Sequence, residues 1–259
     1  VRIERALSIK FIRDLTGRDR NAESNRRLGS TLAFIAGAIN AGGFLAVQQY
    51  TSHMTGIVSS MADSLVLGHT DVVLYGLGGL VSFVVGAAAS AVMVNYARRH
   101  RLQGEYAMPL LLEAVLLLCF GLLGARLSTI EGLFVPLTVM LLCFIMGLQN
   151  AVISKLSNAE IRTTHMTGVI TDIGIELGKL AYWNGARFPG ALDVVANRER
   201  LKVLGTLVGC FFIGGVVGAL GFKHIGYGFT VWLALALVVL AIVPAIDDVR
   251  SVLRRYADR

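Results

Sequence analysis

Thr51-Ser52-His53-Met54-Thr55-Gly56 returns later in the chain as Thr163-Thr164-His165-Met166-Thr167-Gly168. Each copy follows a long apolar run and opens a shorter, less apolar one. Four identical residues in a row, His-Met-Thr-Gly, recurring at about half the chain length mark a duplicated unit. In membrane proteins the interface between repeats is where substrate and ion sites usually lie. The two phrases are therefore the first candidate for a site.

Of the 259 residues, 55% are hydrophobic and 16% charged, with mean hydropathy +0.67, whereas a soluble domain carries roughly 25% charged residues. This composition is that of an integral membrane protein. A pI near 9.6 and a formal charge of +7 raise nucleic acid as a partner, but the basic residues sit at the ends of apolar runs and make no face of their own. Cys119, Cys143 and Cys210 lie inside apolar spans without CxxC or metal spacing and read as small buried hydrophobes. No cleavable signal pattern is expected at the start, because a 27-residue stretch of mixed charge precedes the first apolar run.

Residues 1–27 read as a basic tail, either topogenic or lying on an anionic leaflet through Ile3, Leu7, Ile9 and Phe11. A first repeat over 28–126 holds a span at 28–47, a short segment at 54–67, and spans at 72–96 and 108–125. The short segment has 14 residues, about 21 Å of helix against about 30 Å of hydrocarbon, and reads as a half-helix. A second repeat over 127–247 follows the same order: a span at 133–153, a short segment from His165 to about residue 180, a polar insertion at 183–202, and spans at 203–222 and 227–246. A basic tail, 248–259, follows.

The expected fold class is thus an all-α polytopic membrane protein with six transmembrane helices and two short broken or re-entrant ones. If the short segments do not cross, 22 of the 24 Lys and Arg fall on one side, leaving Arg126 and Lys223 opposite, with both termini cytoplasmic. Eight crossings would give a weaker 18 to 6 division. Three crossings per unit make the two halves inverted-topology repeats, entering the membrane from opposite sides.

A short helix opening at Met54 or Met166 presents unpaired N–H groups and a positive dipole end, which favour an anion or polar solute if buried; Thr51, Ser52, Thr163 and Thr164 are candidate caps, and capping at the surface is the plainer reading. His53 and His165 are the histidines in matching positions, and imidazole titrates in the physiological range, so they are candidates for proton coupling or simply structural donors. Met54 and Met166 raise a soft-metal reading, set against their use as gap-fillers; no metal site is expected. Thr55 and Thr167 complete the pathway set. Asn40, Gln149 and Asn150 precede the phrases at matching places and either line a path or bond across helices. Asp172 is the acidic coupling candidate, with Asp63 beside it; Asp63 and Glu176 are alternatively water-facing, and Glu113 is expected to snorkel. Ser82, Gly86 and Ser90, and Gly205, Gly209, Gly214 and Gly218, read as close-packing positions.

The duplicated His-Met-Thr-Gly, with Gly147-Leu148-Gln149-Asn150 before the second copy and Thr171-Asp172 after it, resembles the YoaK-like family of bacterial inner-membrane proteins, a domain of unknown function. The resemblance runs from the first span to the last. It implies a six-span protein of the bacterial cytoplasmic membrane and supplies no substrate, cofactor or catalytic residue. The basic tail and the 183–202 insertion are departures.

The leading expectation is a small transporter or pore for a small polar or anionic solute, proton-coupled if the histidines or Asp172 titrate. The alternatives are a non-transport scaffold or sensor, and a membrane enzyme acting on a lipid or quinone, although no catalytic constellation is present. The expected partners are the lipid bilayer, an unidentified small solute and, as an option, further copies of the chain; nucleic acid is not among them, and the cofactor is unknown.

Overall fold

The computed structural model describes residues 22–127, 131–156, 166–185 and 193–257, and every regular element among them is helical. In order these are α1 (Ala22–Val47), α2 (Met54–Leu67), α3 (Thr70–Arg99), α4 (Ala107–Leu127), α5 (Glu131–Leu156), α6 (Met166–Ala181), α7 (Arg198–Ile225), a 3-10 turn (Gly226–Gly228) and α8 (Phe229–Ala257). The amphipathic reading of the N-terminal tail through residue 21, and the cap candidates Thr163 and Thr164, lie outside the described residues.

Among the described residues five segments are long and apolar enough to cross a membrane, the last running from Arg198 to Arg250 over 53 residues. Unbroken, that segment would be about 80 Å of helix. Gly226, at φ +69, ends α7 and starts the 3-10 turn, a backbone conformation that L side chains rarely adopt. The short segment expected at 54–67 coincides with α2. The long helices, however, outrun their apolar stretches. α1 begins at Ala22, and α8 continues to Ala257, so most of the expected 248–259 tail is helix. Residues 248–257 contain no Gly or Pro, and helix propensity does not stop where hydropathy does.

Polar contacts sort the helix ends. Arg26 at the start of α1 lies 3.8 Å from Glu199 at the start of α7. Arg98 near the end of α3 donates to Glu105 (3.1 Å) and to the Tyr106 hydroxyl (2.9 Å), just before α4. Lys155, ending α5, donates to Asn95 (2.8 Å), and Asp248 of α8 accepts from the Gly104 N–H (2.9 Å). One basic end of the bundle therefore gathers the starts of α1, α4 and α7 and the ends of α3, α5 and α8, so the six long helices alternate in direction. At the far end Gly121 and Gly124 press against Thr230 and Tyr227.

Two helix pairs, α1 with α7 and α3 with α5, form the framework. A Cβ placed on Gly37 would stand 2.0 Å from the Phe211 carbonyl oxygen, and one on Gly214 would stand 2.0 Å from that of Phe34. In the other pair, Gly147 meets Phe83 at 2.0 Å and Gly86 meets Phe144 at 2.1 Å. All four helices carry Phe-x-x-Gly: Phe34–Gly37, Phe83–Gly86, Phe144–Gly147 and Phe211–Gly214. Such close backbone approach gains dispersion and Cα–H···O contacts, each worth about 0.5–1 kcal/mol. The partners also exchange with the halves. α1 packs on α7 as α5 does on α3, α2 lies on α3 as α6 does on α7, and α4 lies on α8.

The core joins Leu32, Ile35, Leu110, Leu117, Ile145 and Leu237. Outside, Val66 is 87% exposed, and Leu74, Leu122, Phe212 and Trp232 are also exposed. A surface this apolar, over helices of this length, belongs in lipid.

Gly37→Leu or Gly86→Leu should separate the framework helices and cost at least about 1–3 kcal/mol, read as a fall in melting temperature in detergent. Gly205→Ala and Gly209→Ala, where an added Cβ meets nothing within 4 Å, should leave it unchanged or slightly raised.

Candidate functional site

After α1 the chain doubles back along it. Gln48 takes φ +54 and its N–H bonds the Phe44 carbonyl (2.8 Å), turning the backbone. Tyr50 then stacks on Phe44 with ring centroids 4.6 Å apart, Thr51 lies beside Gly43, and the Ser52 hydroxyl donates to Asn40 Oδ1 (2.8 Å). Asn40 is one turn beyond Gly37 of the central crossing, so the first phrase begins deep in the bundle. Cys143 Sγ reaches the Thr51 carbonyl at 3.5 Å and ties this return to α5.

α2 starts there and runs back out. Its N-cap is His53, at φ −94 and ψ 72, without a side-chain capping bond. Neither expected cap closes the start of α2. Thr51 is buried with its hydroxyl unpaired among the described residues, and Ser52 serves Asn40. The burial of the return path accounts for this, because its backbone follows α1 and not the geometry of a surface cap.

The glycine of the phrase has a clear reason. The His53 ring lies over Gly56, where a Cβ would stand 2.2 Å from Cδ2. Met54 packs with Ile57, Val139, Cys143 and Phe83, an apolar wedge between α2, α3 and α5. Thr55 is exposed. At the outer end Gly68, at φ +78, closes α2 with its N–H on the Ser64 carbonyl.

Beside this start lies a cavity of about 680 Å³. Its polar wall is Gln48, Gln49, Tyr50, His53, Ser60 and Tyr75; its apolar wall includes Ile57 and Met61 of α2 and Pro136, Val139 and Met140 of α5. Among the described residues its lining contains no acid, Lys or Arg. The three unbonded N–H groups of the first turn of α2 supply partial positive charge nearby.

The second phrase is only partly described, since His165 lies outside the described residues. Met166 and Thr167 open α6, where Thr171 donates to the Thr167 carbonyl (2.8 Å). α6 docks on α7 in the register in which α2 docks on α3: Ile57 and Ser64, the fourth and eleventh residues after His53, are buried, as are Val169 and Glu176 at the same places after His165. Glu176, expected as a water-facing alternative, is instead 1% exposed. It accepts from Lys179 Nζ (2.9 Å) and the Asn197 N–H (2.7 Å), and Arg200 lies 3.9 Å away. Its side chain turns into the seam between α6 and the start of α7, where these donors replace water. Lys179 first, then the Asn197 N–H, hold its carboxyl below the usual carboxylate value.

Asp172 pairs with Arg200 at 3.0 Å, and Asp63 is exposed on α2. Gln149 is fully buried with both amide atoms unpaired among the described residues, and Asn150 is half-buried. Glu113 does not snorkel: it is 0% exposed, because α4 turns this position inward with Leu110, Ala114 and Leu117. The structure thus gathers Asn40, His53 and Met54 in one place and leaves Asp172 at the basic end. Sequence reasoning missed Gln48, Gln49 and Tyr50, which reach the cavity through the reversal at Gln48, and Ser60 of α2 and Tyr75 of α3, which line it from their helices; no periodic signal marks that reversal.

A bundle of long apolar helices with an apolar outer surface and a partly polar, open cavity between α2, α3 and α5 defines a multi-pass membrane protein. The model of the family described as Protein of unknown function (DUF1275) matches residues 28–243, and the chain belongs to that family. It is similar to the UPF0700 transmembrane protein YoaK of Bacillus subtilis (strain 168), at 24% identity over 212 residues that cover 81% of this chain and 88% of that one. No solved structure matches the chain.

The lowered Glu176 fixes a sign for pH. Its contribution to docking α6 is complete above the unfolded carboxylate value and is lost as pH falls through the still lower folded value. Protection factors for amide exchange in α6, taken relative to the intrinsic rate at each pH, should therefore fall in acid. In Glu176→Gln they should be low already at neutral pH, without that acid step.

Proposed function

We propose that this chain is a small membrane transporter or pore for a small polar or anionic solute. In this reading six helices cross the membrane, with α7 and α8 as separate spans, and α2 and α6 are re-entrant half-helices in two inverted-topology repeats. The observation that carries it is the cavity of about 680 Å³ beside the deep start of α2, where His53 and Ser60 meet the reversal at Gln48. A scaffold whose short helices only filled the core would not need a polar hollow there.

The class of solute follows from the wall. Amide, hydroxyl and imidazole groups with an N-terminal dipole, and no fixed acid, suit a neutral polar molecule or a small anion better than a cation. The alternating helix directions and the exchange of packing partners between halves support inverted repeats. Binding at the first phrase, answered by His165, Met166 and Thr167 from the other face, is the arrangement of alternating access. Asp172, paired with Arg200, is the switchable ion pair of this scheme, and Asp63, exposed on α2, is the second acidic candidate for coupling. The positive-inside distribution supports cytoplasmic termini, in this reading within a bacterial inner membrane.

Two experiments test this reading. Cysteines at residues 100 and 223 should label from opposite faces of the membrane, and labelling from one face would end the six-span topology. In phosphatidylethanolamine/phosphatidylglycerol liposomes screened with small anions and neutral polar solutes, His53→Ala with His165→Ala should leave insertion intact and cut flux at least about tenfold, the effect of losing one hydrogen bond of about 1.4 kcal/mol. Unchanged flux of a transported solute would remove the histidines from the path.

A further inference from the structure

The interior of the bundle holds an acid that nothing in the fold uses. Glu113 lies on α4, midway along its contact with α8: toward the far end Gly121 meets Thr230, and toward the basic end Gly104 meets Pro244 and Asp248. The side chain is fully buried, and neither carboxyl oxygen has a hydrogen-bond partner among the described residues. The same holds for Gln149 of α5. Arg98 bonds both the Tyr106 hydroxyl and the Lys155 carbonyl, which pins the start of α4 to the end of α5. Glu113 is seven residues from that clamp and Gln149 six, so on adjoining helices of opposite direction they sit at similar depth.

The ionisable groups on the elements packed against α4 are engaged or placed elsewhere. On α8, Asp248 accepts the Gln103 and Gly104 N–H groups, and Asp247 is beside it at the basic end. On α5, Lys155 bonds Asn95 and the Cys143 thiol reaches the Thr51 carbonyl. On α3, Arg98 bonds Glu105 and Tyr106, with Arg99 and His100 past it at the helix end, and Tyr227 of the 3-10 turn borders Gly124 at the far end. None of these contacts puts a positive charge on Glu113.

An ionised carboxylate without a partner in dry apolar surroundings is far costlier than a neutral acid. We propose that Glu113 is a proton-binding site of the bundle core, occupied by a proton in the packed conformation and able to release it only when α4 moves far enough from α5 and α8 to admit water. As a structural residue it is a poor choice, since Leu would pack the position and Gln would carry no titrating proton. The bond that changes is the carboxyl O–H: the proton leaves to water on opening and is regained before closing. Proton movement is thereby tied to a change of conformation. Its use in transport rests on the carrier reading above; the proton site does not.

The test is infrared spectroscopy of the full chain in dodecyl maltoside micelles, whose detergent has no ester carbonyl to overlap the band. At neutral pH the wild-type protein and Asp172→Asn should both show the carbonyl stretch of a protonated carboxyl, and Glu113→Gln should lack it. Absence of the band from wild type, or its persistence in Glu113→Gln, overturns the proposal. If Glu113→Gln fails to insert, Glu113→Asp replaces it and should shift the band; an unshifted band counts against the site. Wild type should also melt at lower temperature as the buffer turns alkaline, because folding then requires uptake of a proton, and Glu113→Gln should lose that dependence. A band at Glu113 together with no flux of any solute would sink the carrier reading and leave the proton site standing.

Discussion

Four contacts between a phenylalanine carbonyl and a glycine hold the framework together. At each, the backbone of one helix occupies the volume that a side chain on the other would fill. In lipid there is no hydrophobic gain from pressing apolar helices together, so close approach must come from van der Waals contact and weak Cα–H···O bonds. The Phe-x-x-Gly pairs make that approach available twice, once for α1 with α7 and once for α3 with α5. The other helices are arranged around these two crossings.

The second of these pairs carries the site. With α3 and α5 drawn together at Gly86 and Gly147, Met54 and Ile57 of α2 form an apolar wedge against Phe83, Val139 and Cys143. The chain reaches that wedge by retracing α1 from Phe44 to Asn40, and what the wedge leaves unfilled is the cavity beside His53. Gly56 is the one residue of the phrase whose identity is explained outright, because the imidazole takes the space of its side chain. Polar groups stay buried along this path at some energetic cost: Thr51, Gln149 and Glu113 lack partners among the described residues. A core shaped by stability alone would have shed them.

Much of this was legible in the residues. The bounds of α2 and the correspondence of α6 to it follow from the duplicated phrase and from hydropathy, both local signals. The close-packing role of Gly86 and Gly214 was visible as small-residue spacing, yet Gly205 and Gly209 share that spacing and face open space. Spacing marks one side of a helix, but it does not say whether another helix lies there.

By itself the sequence determined a membrane protein of long apolar helices with a duplicated, charge-biased plan, since hydropathy and repetition are properties of the chain alone. Only the tertiary structure decided that Glu113 turns inward, that Glu176 latches α6 to α7, that Ser52 bonds Asn40 instead of capping α2, and that Gln48, Tyr50 and Tyr75 share a cavity with His53. These are matters of which helix face meets which neighbour and of where one residue reverses the chain. The deciding energies are burial and hydrogen bonding between segments distant in sequence, and no local pattern records them.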